Sequence, residues 1–246
     1  MNCSKIGILT SPLGKSGILQ LSHLIQIMNE ISNNLFVISD DEDNTGFFSE
    51  FDEKVSVVRI NQGWKGNGNR FTRIICKFLM QLRISFLLFK LNQNVDIWIL
   101  FGSSTLSIPL IISKLLRKKI IMVLIGCPCD RHLTGISKTL VSLCLRINFR
   151  VCDNIVLYSK NLIKEWGLLK YEKKILIGHE HYINFEQYSY EVKFNERARL
   201  IGYVGRLSQI KGILNFVMAI PEILREEKDI KFLIVGDGEL KDQLIH

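Results

Sequence analysis

Residues 200–214 read Leu-Ile-Gly-Tyr-Val-Gly-Arg-Leu-Ser-Gln-Ile-Lys-Gly-Ile-Leu, and residues 230–240 read Ile-Lys-Phe-Leu-Ile-Val-Gly-Asp-Gly-Glu-Leu. The first segment predicts a buried apolar strand from Ile201 to Val204, a loop and the start of a helix. The second predicts another strand, closed by a glycine-flanked turn. Strand, helix, strand and glycine turn in this order form a βαβ unit, which commits the chain to a parallel-sheet α/β architecture. Gly205 is expected to let the backbone turn at the strand end, and Arg206 and Lys211 are the cations that the loop offers. Two cations beside a helix N-terminus suit an anion, because the unpaired amides and the helix dipole add partial positive charge. The plainer alternative is that both are solvated charges on a Rossmann-like unit.

Upstream, apolar runs separated by helical patterns predict strands at residues 5–10, 35–39, 55–60, 95–101, 120–125 and 174–177. Helices are predicted at 18–31, 70–91, up to about residue 116, and at 136–150. The organisation expected is a first Rossmann-like domain over 1–184, a polar linker over 185–199, and a second unit over 200–246. The apolar stretch 97–112 is interrupted by Gly102, Ser103, Ser104, Thr105 and Pro109. It falls short of the roughly 20 apolar residues that a membrane-spanning helix needs.

A net charge of +8 implies acidic partners: phosphorylated small molecules, anionic lipid or nucleic acid. No recognisable nucleic-acid-binding motif accompanies the basic residues, so nucleic acid is not expected. Helix 70–91 carries Arg70, Arg73 and Lys77 along with Phe78, Leu79, Leu82, Phe86, Leu87 and Phe89. Such a helix can lie on an anionic membrane surface or pack its apolar side on the sheet, and its apolar residues extend round more than one face.

The six cysteines, Cys3, Cys76, Cys127, Cys129, Cys144 and Cys152, lack paired zinc-site spacing, and no signal peptide is recognised. Free, mostly buried thiols in a cytoplasmic protein, peripheral to the membrane at most, are the expectation. No metal site is expected either. The run Asp40-Asp41-Glu42-Asp43 points its carboxylates apart, Cys127-Pro128-Cys129 has no second pair, and His179-Glu180-His181 has no third ligand at matching spacing.

In order along the chain, Val204-Gly205-Arg206-Leu207, Lys211-Gly212 and Val235-Gly236-Asp237-Gly238 resemble the retaining glycosyltransferases of family 4, enzymes of the GT-B fold. The resemblance implies two Rossmann-like domains around a cleft and transfer of a sugar from a nucleotide-diphosphate donor, a UDP- or GDP-sugar. The acceptor implied is a glycan or a polyprenol-linked molecule, and no separate cofactor is implied. It assigns Arg206 and Lys211 to the donor diphosphate, Gly14 and Gly17 to close approach of the backbone to donor phosphate and acceptor, and Gly205 to the donor-binding loop, and it implies a strand that follows Asp153 and ends at Ser159. A guanidinium takes phosphate oxygens bidentately, and an ammonium supplies a mobile point charge. In the resembling enzymes the loop after the fifth strand carries a His. Here that place is held by Gly126 and Cys127, with Asp130, Arg131 and His132 nearby as candidates for polar contacts, so no catalytic residue is assigned.

Gly14-Lys15-Ser16 also invites comparison with a nucleoside-triphosphatase P-loop. There, however, Leu9 stands where a glycine is needed and Pro12 removes an amide. A plain strand-to-helix turn is the other reading of this loop. The family's Glu-(seven residues)-Glu motif is absent up to His246, so a fragment or a truncated gene product is expected. A catalytically inactive relative or partner subunit, and a nucleotide-sugar 2-epimerase, are the alternative functions.

Overall fold

The computed structural model describes residues 4–10, 15–39, 55–60, 70–103, 105–127, 135–178 and 192–245. The chain divides into two compact units, Met1–Ile183 and Asn184–His246. In the first unit the strands are β1 (Ser4–Thr10), β2 (Ser32–Ser39), β3 (Val55–Arg59), β4 (Ile97–Phe101), β5 (Lys119–Val123), β6 (Asn154–Leu157) and β7 (Ile175–Ile177). Its helices are α1 (Lys15–Ile31), α2 (Arg70–Lys90), α3 (Ser107–Leu115), α4 (Gly135–Val151) and the short α5 (Asn161–Glu165). The strands pair in the order β3-β2-β1-β4-β5-β6-β7, all parallel. The chain therefore winds outward in one direction from β1 and in the other from β4. Between those two strands lies the switch point where such sheets bind ligands.

A parallel sheet is covered on both faces, which is why β4 is an unbroken apolar run. Leu9, Trp98 and Leu100 face a core completed by Ile84 and Leu88 of α2, Leu110 of α3 and Leu145 of α4. Ile8, Val37, Ile99 and Phe101 face a second core completed by Leu21 and Ile25 of α1. The two strands that flank the switch point are locked by one pairing. Gly7 of β1 lies beside Trp98 of β4, and a Cβ at residue 7 would overlap the six-membered ring of the buried indole. Glycine is demanded here by close approach, not by backbone conformation.

Two expectations about α1 and the thiols need correction. Helix α1 begins at Lys15, three residues before the predicted start, so Gly17 is buried in its first turn and not in a loop. The pattern 18–31 showed only the apolar face, and a first turn without apolar side chains is invisible to that signal. Among the described cysteines, Cys152 alone is buried; Cys76 and Cys144 are half-buried and Cys127 is exposed, and none of the four is in a disulfide. Burial pushes the Cys152 thiol up to about 11, which makes it an inert packing group at neutral pH. Among the described residues no helix is long and apolar enough to cross a membrane.

Charged groups close the junction between α4 and β6. The Asp153 carboxylate accepts the Ile120 N–H at 2.9 Å and the ammonium of Lys114 from the end of α3. The Lys174 ammonium donates to the carbonyls of Arg150 and Cys152 at 2.9 and 2.8 Å, covering acceptors left open at the C-terminus of α4.

The second unit contains β8 (Leu200–Val204), α6 (Ile213–Glu226), β9 (Lys231–Val235) and the short α7 (Lys241–Ile245). β8 and β9 pair in parallel, Gly202 beside Leu233 and Val204 beside Val235. The ring of Phe216 on α6 sits 5.6 Å from Tyr203 and 6.2 Å from Phe232, so α6 covers one face of the pair. Burial of the first strand, expected from its apolar composition, is not observed: Leu200 and Val204 on the other face are exposed, Val204 by 81%. An apolar run specifies a strand, but burial needs a layer on each side.

Burial opposes the negative charge of Asp153, yet Lys114 and the Ile120 N–H outweigh it and hold the carboxyl below its usual range. A depressed folded pKa stabilises the fold above the unfolded value of about 3.9, and that contribution is lost as pH falls through the folded pKa. Asp153→Asn should therefore cost about 1 kcal/mol at pH 7, discounted for a partly exposed group. Thermal unfolding should show the gap to the parent protein closing as pH drops from 5 towards 3. A gap independent of pH would contradict this assignment.

Candidate functional site

The loop from β8 to α6 is shaped by its backbone. After Val204 it passes through Gly205 and Arg206, buries Leu207 and Ser208, makes a single 3-10 turn over Gln209–Lys211, and enters α6 through Gly212. Gly212 sits at φ 71°, in the left-handed region that a side chain disfavours, and its carbonyl accepts the N–H of Phe216 at 3.1 Å. No acidic residue stands in the first turn of α6 to occupy its free amides.

Tyr203, the fourth residue of β8, gathers this loop. Its hydroxyl lies 2.9 Å from the carbonyl oxygen of Arg206, to which it donates, and 3.5 Å from that of Lys211. One phenol thus fixes the main chain at both candidate cations. The ring beneath is held by Phe216. The side chains of Arg206 and Lys211 are exposed, and neither is paired with a carboxylate among the described residues. Sequence reasoning assigned Tyr203 only to the apolar strand. The available signal was a tyrosine placed where an inward strand position meets a loop, since a buried phenol usually finds a partner.

The turn after β9 acts as a mould for the loop. Gly205 donates to the Val235 carbonyl at 3.0 Å, Leu207 to the Asp237 carbonyl at 2.9 Å, and Leu240 to the Leu207 carbonyl at 3.1 Å. A Cβ at residue 236 would sit on the carbonyl oxygen of Gly205, and one at residue 238 would come within 2.9 Å of the Leu207 nitrogen. At Gly205 itself, by contrast, an added Cβ meets only the Tyr203 ring, at 3.5 Å or more, with no left-handed φ. The expectation that Gly205 serves as the turn-permitting glycine is therefore corrected. The steric demand lies at Gly236 and Gly238, and the conformational demand at Gly212 and, at φ 156°, at Gly238 as well. The Asp237 carboxylate, largely exposed, accepts the Gly238 N–H at 3.0 Å and lies 3.7 Å from the Lys241 ammonium.

In the first unit the C-terminal ends of β1, β4 and β5 converge on the switch point. Gly102, at φ 64°, turns the chain out of β4 and donates to the Val123 carbonyl at 3.2 Å. Ser103 follows, 3% exposed, with no hydrogen-bond partner for its hydroxyl among the described residues. The sequence shows Ser103 only as one of the residues that interrupt the apolar stretch 97–112. After β5, the Tyr158 hydroxyl donates to the Ile125 carbonyl at 2.7 Å, and Gly126 has open space around it. Gly14, Cys3, Cys129, Asp130, Arg131, His132, His179, Glu180, His181 and the 40–43 acidic run lie outside the described residues. Among the described residues no cluster of three or more His, Cys, Asp or Glu side chains is placed to hold a metal.

A parallel seven-stranded Rossmann-like sheet with helices on both faces, followed by a second parallel α/β unit with its own small sheet, is the GT-B type of fold. Residues 198–246 match the family described as Glycosyl transferases group 1, the segment that holds Arg206, Lys211 and the Val-Gly-Asp-Gly turn. No curated protein matches the chain. Among solved structures, Anabaena HepE in complex with UDP is similar with a TM-score of 0.66 at 12% identity, over 97% of this chain and 62% of that one. The glycosyltransferase from Rickettsia africae ESF-5 is similar with a TM-score of 0.61 at 16% identity, over 100% and 63%. A UDP-N-acetylglucosamine 2-epimerase is similar with a TM-score of 0.53 at 11% identity, over 93% and 63%. The likeness at these identities is one of fold, and the chain spans less than two thirds of the length of these structures.

The mould described above orders two substitutions that look alike in sequence. Gly236→Ala should lower the stability of the second unit by about 1–3 kcal/mol, as overpacking does, whereas Gly205→Ala should be tolerated. Thermal unfolding of both variants checks this, and the reverse order would contradict the assignment of the steric demand.

Proposed function

We propose that this protein works as a glycosyltransferase that moves a sugar from a nucleotide-diphosphate sugar, a UDP- or GDP-sugar, to a glycan or lipid-linked acceptor with retention of anomeric configuration. The observation that carries the reading is the tethering of the Arg206 and Lys211 backbones to one tyrosine hydroxyl, which leaves both cationic side chains exposed at the mouth of α6. The group 1 match over residues 198–246 supports it, as does the UDP bound in the similar Anabaena structure.

In this reading the diphosphate lies against the β8–α6 loop. The Arg206 guanidinium takes two of its oxygens in a fork, and the Lys211 ammonium neutralises a third. Negative charge grows on the diphosphate as the bond to the sugar breaks. Cations already in place stabilise that charge without reorganising at the moment of reaction. The backbone amides of the first α6 turn add to the same field.

A nucleotide-sugar 2-epimerase is the second reading, favoured by the epimerase among the similar structures. Product analysis separates the two: donor with acceptor yields a new glycoside in the first, and donor alone yields an epimer in the second. For either chemistry, Arg206→Ala with Lys211→Ala should reduce turnover of the productive nucleotide sugar by about 10²–10³-fold, the scale of losing preorganised charge stabilisation. Both side chains are exposed, so far-ultraviolet circular dichroism and the melting temperature should stay unchanged. Turnover equal to that of the parent protein would refute the assignment.

A further inference from the structure

Helices α2, α3 and α4 form one layer on the first unit's sheet. The Gln81 side chain of α2 accepts the Ile108 N–H at 3.1 Å, and Ser107 donates to the Cys144 carbonyl of α4 at 3.4 Å, so α3 is stitched to both neighbours. A helix packed on a sheet ordinarily turns polar residues outward. α2 does otherwise. It buries Ile84 and Leu88, yet Phe78, Leu82, Phe86 and Phe89, spaced four, four and three residues apart, form a second apolar stripe on the opposite side. Phe86 is 60% and Phe89 66% exposed. Leu115 on α3 and Leu143 on α4 are exposed in the same layer.

The charge on this layer has one sign. Five Lys and Arg stand on α2, one on α3 and three on α4, with no Asp or Glu on any of them. The bias extends beyond the helices. Residues 54–152 hold sixteen Lys and Arg against only Asp96 and Asp130, whereas the rest of the chain holds sixteen against twenty-two acidic residues. The whole net positive charge of the protein therefore comes from the segment that builds this layer. Lys90 also places its ammonium 4.8 Å from the Phe86 ring centroid, a cation–π contact that keeps a cation at the apolar stripe.

We propose that the outer face of the α2–α3–α4 layer docks on an anionic lipid bilayer, with Phe78, Leu82, Phe86 and Phe89 entering the headgroup–acyl boundary. The pairing of exposed phenylalanines with cations on helices that carry no acidic residue is what such a surface attracts. Apolar side chains are buried a few ångströms deep while Lys and Arg meet anionic headgroups. Docking is reversible and interfacial, since α2, with five cations in 21 residues, does not cross a bilayer. The proposal stands apart from the donor site and holds whether or not the transfer reading does.

Flotation of the full chain with vesicles tests it, using phosphatidylcholine alone and phosphatidylcholine with about one third phosphatidylglycerol. The expected result is recovery with the anionic vesicles only, at least tenfold lower for Phe86→Asn with Phe89→Asn and for Arg83→Glu with Lys90→Glu, and weakened by salt. These positions are exposed, so melting temperatures should hold and failure to fold does not confound the result. Equal recovery with neutral vesicles, or no recovery with either, overturns the proposal. So does a dimer in light scattering that the Phe86/Phe89 variant dissolves, which would reassign the face to self-association.

Discussion

The carbonyl oxygen of Gly205 occupies the position that a side chain at residue 236 would need, and the geometry of the second unit follows from that close approach. Because Gly236 and Gly238 are bare, the turn after β9 closes against the loop after β8 through three backbone hydrogen bonds. The loop then has a fixed floor. Leu207 and Ser208 are buried into it, Gly212 turns the chain into α6, and the Tyr203 hydroxyl reaches both the Arg206 and Lys211 carbonyls. Two flexible cationic side chains thereby acquire fixed roots, which is the part of preorganisation that a scaffold supplies.

The first unit uses the same device at another place. Gly7 of β1 is bare so that the Trp98 indole of β4 lies over it, and this pairing joins the two strands from which the chain winds outward in opposite directions. At the C-terminal edge beyond it are the left-handed turn at Gly102 and the buried Ser103. Each unit thus has one close approach that only a bare glycine permits, to the Trp98 side chain in the first and to the main chain of the β8–α6 loop in the second.

Much of this was legible in the sequence because apolar runs and their spacing report strands and helices directly. The βαβ unit around Arg206 and Lys211 was read from residues 200–240, and all seven strands of the first sheet were anticipated within a few residues of their observed bounds. What was not legible depends on contacts distant in sequence. Gly205, Gly212, Gly236 and Gly238 look equivalent as letters, and only the approach of one loop to another separates their roles. The Tyr203 hydroxyl gains its role from carbonyls three and eight residues away that converge only once the loop is folded. The outward apolar stripe of α2 was visible as a pattern, but which stripe faces the sheet is settled by packing. The exposure of Val204 and Leu200 shows the same limit, since composition specifies a strand without specifying what covers it.

The central claim is that the β8–α6 loop is a diphosphate site, and calorimetric titration with UDP and with uridine tests it most directly. The account predicts saturable UDP binding, uridine weaker by at least tenfold, and UDP binding reduced to the uridine level when Arg206 and Lys211 are both alanine. A tenfold difference corresponds to about 1.4 kcal/mol for engaging the diphosphate. Uridine binding as tightly as UDP, or UDP binding undiminished in the double variant, would contradict it.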